Sequence, residues 1–175
     1  LASNQPFAVK NLKIKWIDVD PETSAMDISQ LKSLITKDTK AIFNNLFCGY
    51  AGELDEVYNI AKEFGIPVID DCIEAFGTEY KGKKAGNTGA DMTVFSFQTV
   101  RLPNTIDGGA IAFNNQVFFE KAKLVRDYGI ERADFRLGNG EINPSGDISI
   151  EGYGATMSEI KSYSGLKQMQ EIEGL

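Results

Sequence analysis

Two carboxylates follow one another at the end of an apolar run, Val68-Ile69-Asp70-Asp71, with Cys72, Ile73 and Glu74 next in line. Side chains alternate along a strand, so in extended chain the two acids face opposite ways. One can face a site while the other binds backbone or a neighbouring side chain. A carboxylate at a strand end suits a cationic partner such as a protonated pyridine nitrogen or a metal ion. A capping or salt-bridging acid fits these residues equally well.

A second stretch runs from Phe95 to Gly109 and carries Ser96, Gln98 and Arg101 before Pro103-Asn104 and Asp107-Gly108-Gly109. A hydroxyl, an amide and a guanidinium so close together could bind a phosphate. The alternative is a turn in which the glycine pair permits a tight reversal, and the residues alone leave both open. The chain has no histidine. That excludes a Ser-His-Asp triad, a Cys-His pair and a histidine-based zinc site, and no metal site is expected. Cys48 and Cys72 make no C-x-x-C pair, and both are expected as reduced cysteines of the interior, which points to a reducing compartment.

The elements that must position these residues are legible as alternating strands and helices. Strands are expected over Lys13–Val19, Lys40–Phe47, Val68–Asp71, Asp91–Phe97 and Gly109–Phe113. A short helix capped by Asp27 carries Ile28, Leu31 and Ile35 on one face. Glu53–Phe64 reads as an amphipathic helix with Leu54, Val57, Tyr58, Ala61 and Phe64 in one stripe, ended by Gly65. Gln116–Tyr128 is a further helix ended by Gly129, and the first residues also read as helix. Gly138–Gly154 is a long polar connection, functional or mobile. Thr156-x-x-Glu159 reads as a capping box for a last helix with Ile160, Tyr163, Leu166 and Met169.

This alternation predicts an α/β fold of three layers, α/β/α, with a mainly parallel sheet in a single domain over residues 1–175. Ligands of such sheets bind beyond the carboxyl ends of the strands. That selects Asn44, Asn45 and Phe47, then Asp71 to Glu74, then Ser96, Gln98, Thr99 and Arg101. The formal charge is −7 with no basic block, so no nucleic-acid partner is expected. No apolar run is long enough for a membrane span, and no secretory signal is visible, so a cytoplasmic location is expected.

Four segments then occur together and in order: Asp20-Pro21-Glu22-Thr23, the stretch from Val68 to Gln98, Asp107 to Ile111, and Gly152 to Ile160. In this the chain resembles the DegT/DnrJ/StrS sugar aminotransferases, enzymes of the pyridoxal-phosphate fold type I. The resemblance implies a partial large domain of a PLP-dependent transferase, lacking the family's N-terminal part and C-terminal small domain. A start at Leu1 rather than methionine agrees with a truncated sequence. It further implies pyridoxal 5'-phosphate or pyridoxamine 5'-phosphate as cofactor, a nucleotide-linked keto sugar as acceptor, glutamate or glutamine as amino donor, and a homodimer. By the same resemblance Asp71 pairs with the pyridine nitrogen, Glu74 lies close to the ring, and Ser96, with Gln98 nearby, binds the cofactor phosphate.

Three departures from the family pattern stand out. Arg101 occupies the position of the Schiff-base lysine, and a guanidinium, protonated at any workable pH, is no imine-forming amine. Gly154 and Thr156 stand where the family often has an asparagine, which reaches the partner's phosphate, and a basic residue. The early segment that supplies phosphate donors and a stacking ring is not in this sequence. Three readings follow: a family enzyme working on a nucleotide sugar, a sugar dehydratase-like enzyme holding pyridoxamine phosphate non-covalently, or a non-catalytic binding or regulatory member. An unrelated nucleotide-binding domain lacks its glycine fingerprints here. Lys81, Lys83 and Lys84 are poor substitutes for the missing lysine in what reads as a solvated turn. Arg126, Arg132 and Arg136 meet either a diphosphate, the partner subunit, or solvent beside Asp127, Glu131 and Asp134.

Overall fold

The computed structural model describes residues 2–174. A 3-10 turn, Ala2–Asn4, leads into helix α1 (Gln5–Val9). Helix α2 (Ile28–Leu34) begins at Asp27, whose side chain accepts the Ser29 N–H. Strand β1 (Ile42–Asn45) runs to a second 3-10 turn, Phe47–Gly49. Helix α3 (Leu54–Phe64) ends at Gly65 in the left-handed region, φ 66°, the conformation that closes helices at glycine. Strand β2 (Val68–Asp71) follows, then a hairpin of β3 (Glu79–Tyr80) and β4 (Lys83–Lys84), and strand β5 (Met92–Ser96). After strand β6 (Gly109–Phe113) come α4 (Gln116–Arg126), α5 (Arg132–Phe135) and α6 (Glu159–Gln170).

The main sheet has the order β1-β2-β5-β6. β1, β2 and β5 are parallel and β6 pairs antiparallel with β5. Ile42 and Val68 point to the face covered by α2 and α3, where Leu31, Val57, Ile60 and Ala61 bury themselves with Ala90. Phe43 points to the other face and meets Phe7 of α1 edge-on at 5.1 Å between ring centres. Helices therefore lie on both faces, which is why the parallel strands are apolar runs. A second cluster, Leu46, Leu54, Cys72 and Ala75, closes the core at the carboxyl ends of β1 and β2.

Several expectations need correction. Lys13–Val19 forms no strand: it is extended chain with a single antiparallel bridge, Val19 to Met26. Only Ile14 and Ile17 turn partly inward, and no neighbouring strand offers a ladder. Lys40–Phe47 is strand only over Ile42–Asn45, because Phe47 already belongs to the next turn. Cys48 is exposed in that turn, whereas Cys72 is buried, and burial pushes its thiol up to about 12. Ser158, not Thr156, caps α6 by accepting the Lys161 N–H. The stripe Ile160, Tyr163 and Leu166 stays exposed. α6 docks instead through Gly165, its buried residue, where a Cβ would come within 2.6 Å of Thr105 Cγ2. Among the described residues no helix is long and apolar enough to cross a membrane.

Candidate functional site

The register of the sheet decides which acids and hydroxyls share a face. Asn44 pairs with Asp70 and Asn45 with Asp71, while Asp70 and Asp71 pair with Thr93 and Val94 on β5. Alternation therefore puts Asp70 and Thr93 on the α3 face, and Asp71, Val94 and Ser96 on the α1 face. Asp70 is consumed structurally. Its Oδ1 accepts from Asn44 Nδ2 at 3.1 Å and its Oδ2 from the Tyr58 hydroxyl at 2.5 Å. Burial raises the Asp70 pKa, and those two hydrogen bonds only partly offset it. Burial, reinforced by the Asp70 charge, raises the Tyr58 phenol as well.

Asp71 is equally buried but sits at the strand end on the opposite face. Its Oδ2 accepts from the Ser3 hydroxyl at 2.8 Å and its Oδ1 from the Ile73 N–H at 3.2 Å. Each carboxylate oxygen keeps a lone pair for another donor. Ser96, two residues beyond Asp71's partner on the next strand, accepts the Gln98 N–H at 3.3 Å, which leaves its own hydroxyl proton to donate elsewhere.

Glu74 and Arg101 come together directly, with Arg101 Nη2 3.2 Å from Glu74 Oε1 and both side chains about three-quarters buried (26% and 28% exposed). Arg101 Nε is buried and has no hydrogen-bond partner. The other carboxylate oxygen of Glu74 faces the Cys48 N–H at 3.4 Å and its thiol at 3.9 Å. Neither Asp71 nor Ser96 bonds to Arg101; the shared element is the carboxyl edge of the sheet.

The loop that carries Arg101 is held from outside. Arg101 N–H donates to Gln98 O at 2.8 Å, and Thr99 Oγ1 donates to Ile106 O at 2.6 Å. From α6, Gln168 accepts the Asn104 N–H at 2.9 Å and donates to Asn104 O at 2.8 Å, which satisfies both backbone groups of one loop residue. Lys161 adds an ion pair to Asp107 at 3.4 Å. Beside this clamp lies an apolar hollow of 240 Å³ lined by Phe97, Pro103, Met157, Leu166 and Met169.

The remaining residues singled out from the sequence lie elsewhere. Lys81 stands in the hairpin turn at φ 49° and pairs with Asp55 at 2.5 Å. Lys83 and Lys84 are exposed. Arg132 is bound by Asp127 through Nε and Nη2, and Arg136 donates to Gly140 O at 2.7 Å, so both are committed to their own segment. A Cβ at Gly154 would stand 1.9 Å from the Tyr128 hydroxyl oxygen, because the Tyr128 ring fills the space beside it. Sequence reasoning missed Ser3, Cys48 and Gln168. Ser3 lies 68 positions from Asp71 and carries no local signal. The Cys48-Gly49 turn at the end of an apolar run could have placed Cys48 at the ligand edge.

Comparison with known proteins agrees with this fold. A UDP-4-amino-4,6-dideoxy-N-acetyl-beta-L-altrosamine transaminase of Campylobacter jejuni is 34% identical over 168 residues, 94% of this chain and 42% of its own length. The solved sugar aminotransferase CalS13 of Micromonospora echinospora superposes with TM-score 0.89 at 28% identity, over 99% of this chain and 47% of that one. Helicobacter pylori PseC, an aminotransferase involved in the biosynthesis of pseudoaminic acid, superposes with TM-score 0.87 at 28% identity, over 99% of this chain and 44% of that one. The chain thus spans somewhat less than half the length of these relatives. The model of the DegT/DnrJ/EryC1/StrS aminotransferase family matches residues 1–175, and the chain belongs to that family.

Proposed function

We propose that this chain is the cofactor-binding part of a nucleotide-sugar aminotransferase-type protein that holds pyridoxal phosphate or pyridoxamine phosphate without a covalent bond. The observation that carries this reading is that Asp71 and Ser96 stand on one face of adjacent parallel strands, at the carboxyl edge where such sheets take ligands. Asp71 has the lone pairs to keep a ring nitrogen protonated, and Ser3 fixes its orientation. Ser96 and Gln98 offer a free hydroxyl proton and an amide to a phosphate. The cofactor, when bound, supplies an electron sink for a substrate carbanion. Position 101 supplies a guanidinium in place of an amine, so it neither attaches a carbonyl cofactor nor shuttles a proton. In this reading the acceptor is a nucleotide-linked keto sugar, the donor is glutamate or glutamine, and the protein acts as a cytoplasmic homodimer.

A second reading, a non-catalytic binding or regulatory member of the same fold, is favoured by one observation, the engagement of Arg101 with Glu74. Absorbance separates the two. The full-length protein loaded with pyridoxal phosphate is expected to show a cofactor band that dialysis removes and borohydride does not fix to the chain. Borohydride fixation to a lysine would overturn the non-covalent reading. A protein that takes up no cofactor at all is the non-catalytic member.

A further inference from the structure

Glu74 lies in the turn that follows β2, the middle of three parallel strands, and its carboxylate is approached from the segments after both neighbours. From the loop after β5, Arg101 Nη2 reaches one oxygen at 3.2 Å. From the turn after β1, the Cys48 N–H faces the other at 3.4 Å. Cys48 and Gly49 both have positive φ, 52° and 83°, a left-handed turn of the kind that directs backbone N–H groups at anions. A guanidinium and a backbone N–H converging on a carboxylate make an oxyanion-binding geometry, here at the ligand edge of an open α/β sheet.

The grip is incomplete on the arginine side. Nε–H and the neighbouring Nη2–H of an arginine point the same way and match the two oxygens of a carboxylate or phosphate. The chain contains a filled example: Arg132 binds the two oxygens of Asp127 with its Nε and Nη2. At Arg101, Nη2 makes an ion-pair contact with Glu74, and Nε is buried with no hydrogen-bond partner. A buried donor without an acceptor costs about 1–3 kcal/mol, and native structures retain such groups where an ion, water or ligand supplies the oxygen. An internal bridge whose only task was stability would gain by closing the fork, as Asp127 does.

We propose that Arg101, together with the Cys48 N–H, forms a receptor for the carboxylate or phosphate of a ligand, and that the Glu74 side chain is its resident competitor. A ligand with two oxygens fills the Nε and Nη2 fork, and Glu74 swings away from the guanidinium. Arginine at position 101 thus acts as an anion anchor, and Glu74 sets the affinity. The inference deepens the reading given above and rests on it for the placement of the ligand edge, not for the identity of the cofactor.

The test uses the full-length protein without cofactor, titrated calorimetrically with inorganic phosphate in one arm and glutarate in the other. Removing the competing charge with Glu74→Gln is expected to tighten binding of at least one anion about tenfold, the scale of one charge-assisted hydrogen bond. Arg101→Gln is expected to abolish that gain. Arg101→Lys keeps the charge but not the fork, and is expected to bind about tenfold more weakly than wild type. Preference for phosphate or for glutarate names the group the receptor takes. Equal affinity of wild type and Glu74→Gln for both anions overturns the proposal, and so does a Glu74→Gln gain in affinity that survives Arg101→Gln. Should Glu74→Gln fail to fold, the two Arg101 variants decide alone. A protein that takes pyridoxal phosphate but shows no Glu74 effect sinks the receptor and leaves the family reading. Glu74-dependent anion binding without a cofactor band does the reverse.

Discussion

Asp70 and Asp71 are chain neighbours that serve opposite faces of one sheet: Asp70 is tied to Asn44 and Tyr58 beneath α3, and Asp71 to Ser3 on the α1 side. The first pair of bonds builds the core around a charge that burial disfavours. The second leaves a carboxylate at a strand end with capacity to spare. Two identical side chains thus have different chemistry because the strand alternates.

The buried acid makes stability pH-dependent. Burial raises the Asp70 pKa above the unfolded value of about 3.9. A raised folded value means that the group favours folding most at low pH and loses that contribution as pH climbs from near 4 through the folded pKa. Each pH unit of displacement is worth about 1.4 kcal/mol. Asp70→Asn cannot ionise, so its stability relative to wild type should improve as pH rises across that window. Urea midpoints of both proteins at pH 4 and pH 7 check this, and a difference that is flat or runs the other way contradicts the burial argument.

The same pair shows how much was legible in the sequence. The apolar run ending in two acids gave β2 its bounds and the opposed faces of Asp70 and Asp71. Gly65 and Asp27 marked helix ends through backbone rules that act locally. What escaped was set by distant partners. Lys13–Val19 has strand-like composition but no neighbouring strand to pair with. Ser3 reaches Asp71 and Gln168 reaches Asn104 across 68 and 64 positions, and neither contact leaves a local pattern. α6 shows the limit of periodicity: its apolar stripe is exposed, and its contact with the loop runs through a glycine.

The Arg101 loop should depend on Gln168. Removing a side chain that satisfies both backbone groups of Asn104 strips two partly buried hydrogen bonds, a loss of about 1–3 kcal/mol. Gln168→Ala is expected to speed amide exchange at Asn104 and Arg101 at least tenfold while the amides of β1, β2 and β5 keep their protection. Hydrogen exchange resolved by residue reads this directly. A uniform loss across the sheet would show a global effect rather than a local clamp.

Tyr128 and Gly154 should be coupled. Tyr128 holds φ 58°, and its ring occupies the space a side chain at 154 would need. Gly154→Asn alone should therefore destabilise by about 1–3 kcal/mol through overpacking. Tyr128→Gly removes the ring and relieves a left-handed backbone at once. The double variant should be more stable than Gly154→Asn alone, and thermal melts of the four proteins in the cycle give the coupling energy. Additive effects would mean that the two residues do not share that space in solution.

Arg101→Lys tests whether position 101 can carry an imine-forming amine. Lysine supplies a primary amine that loses its proton far more readily than a guanidinium, and it can form a bond to a carbonyl cofactor that arginine cannot. Its head would still meet the Glu74 carboxylate, which holds a lysine in its charged, unreactive form. Arg101→Lys in the full-length protein saturated with pyridoxal phosphate is accordingly expected to become partly fixable by borohydride. The Arg101→Lys, Glu74→Gln double variant should be fixed about tenfold faster, because the carboxylate no longer favours the ammonium. Mass spectrometry of the digested protein locates the modified residue. If neither variant carries the cofactor at position 101, the side chain there does not face the ring, and the alignment that places it opposite the family lysine is wrong.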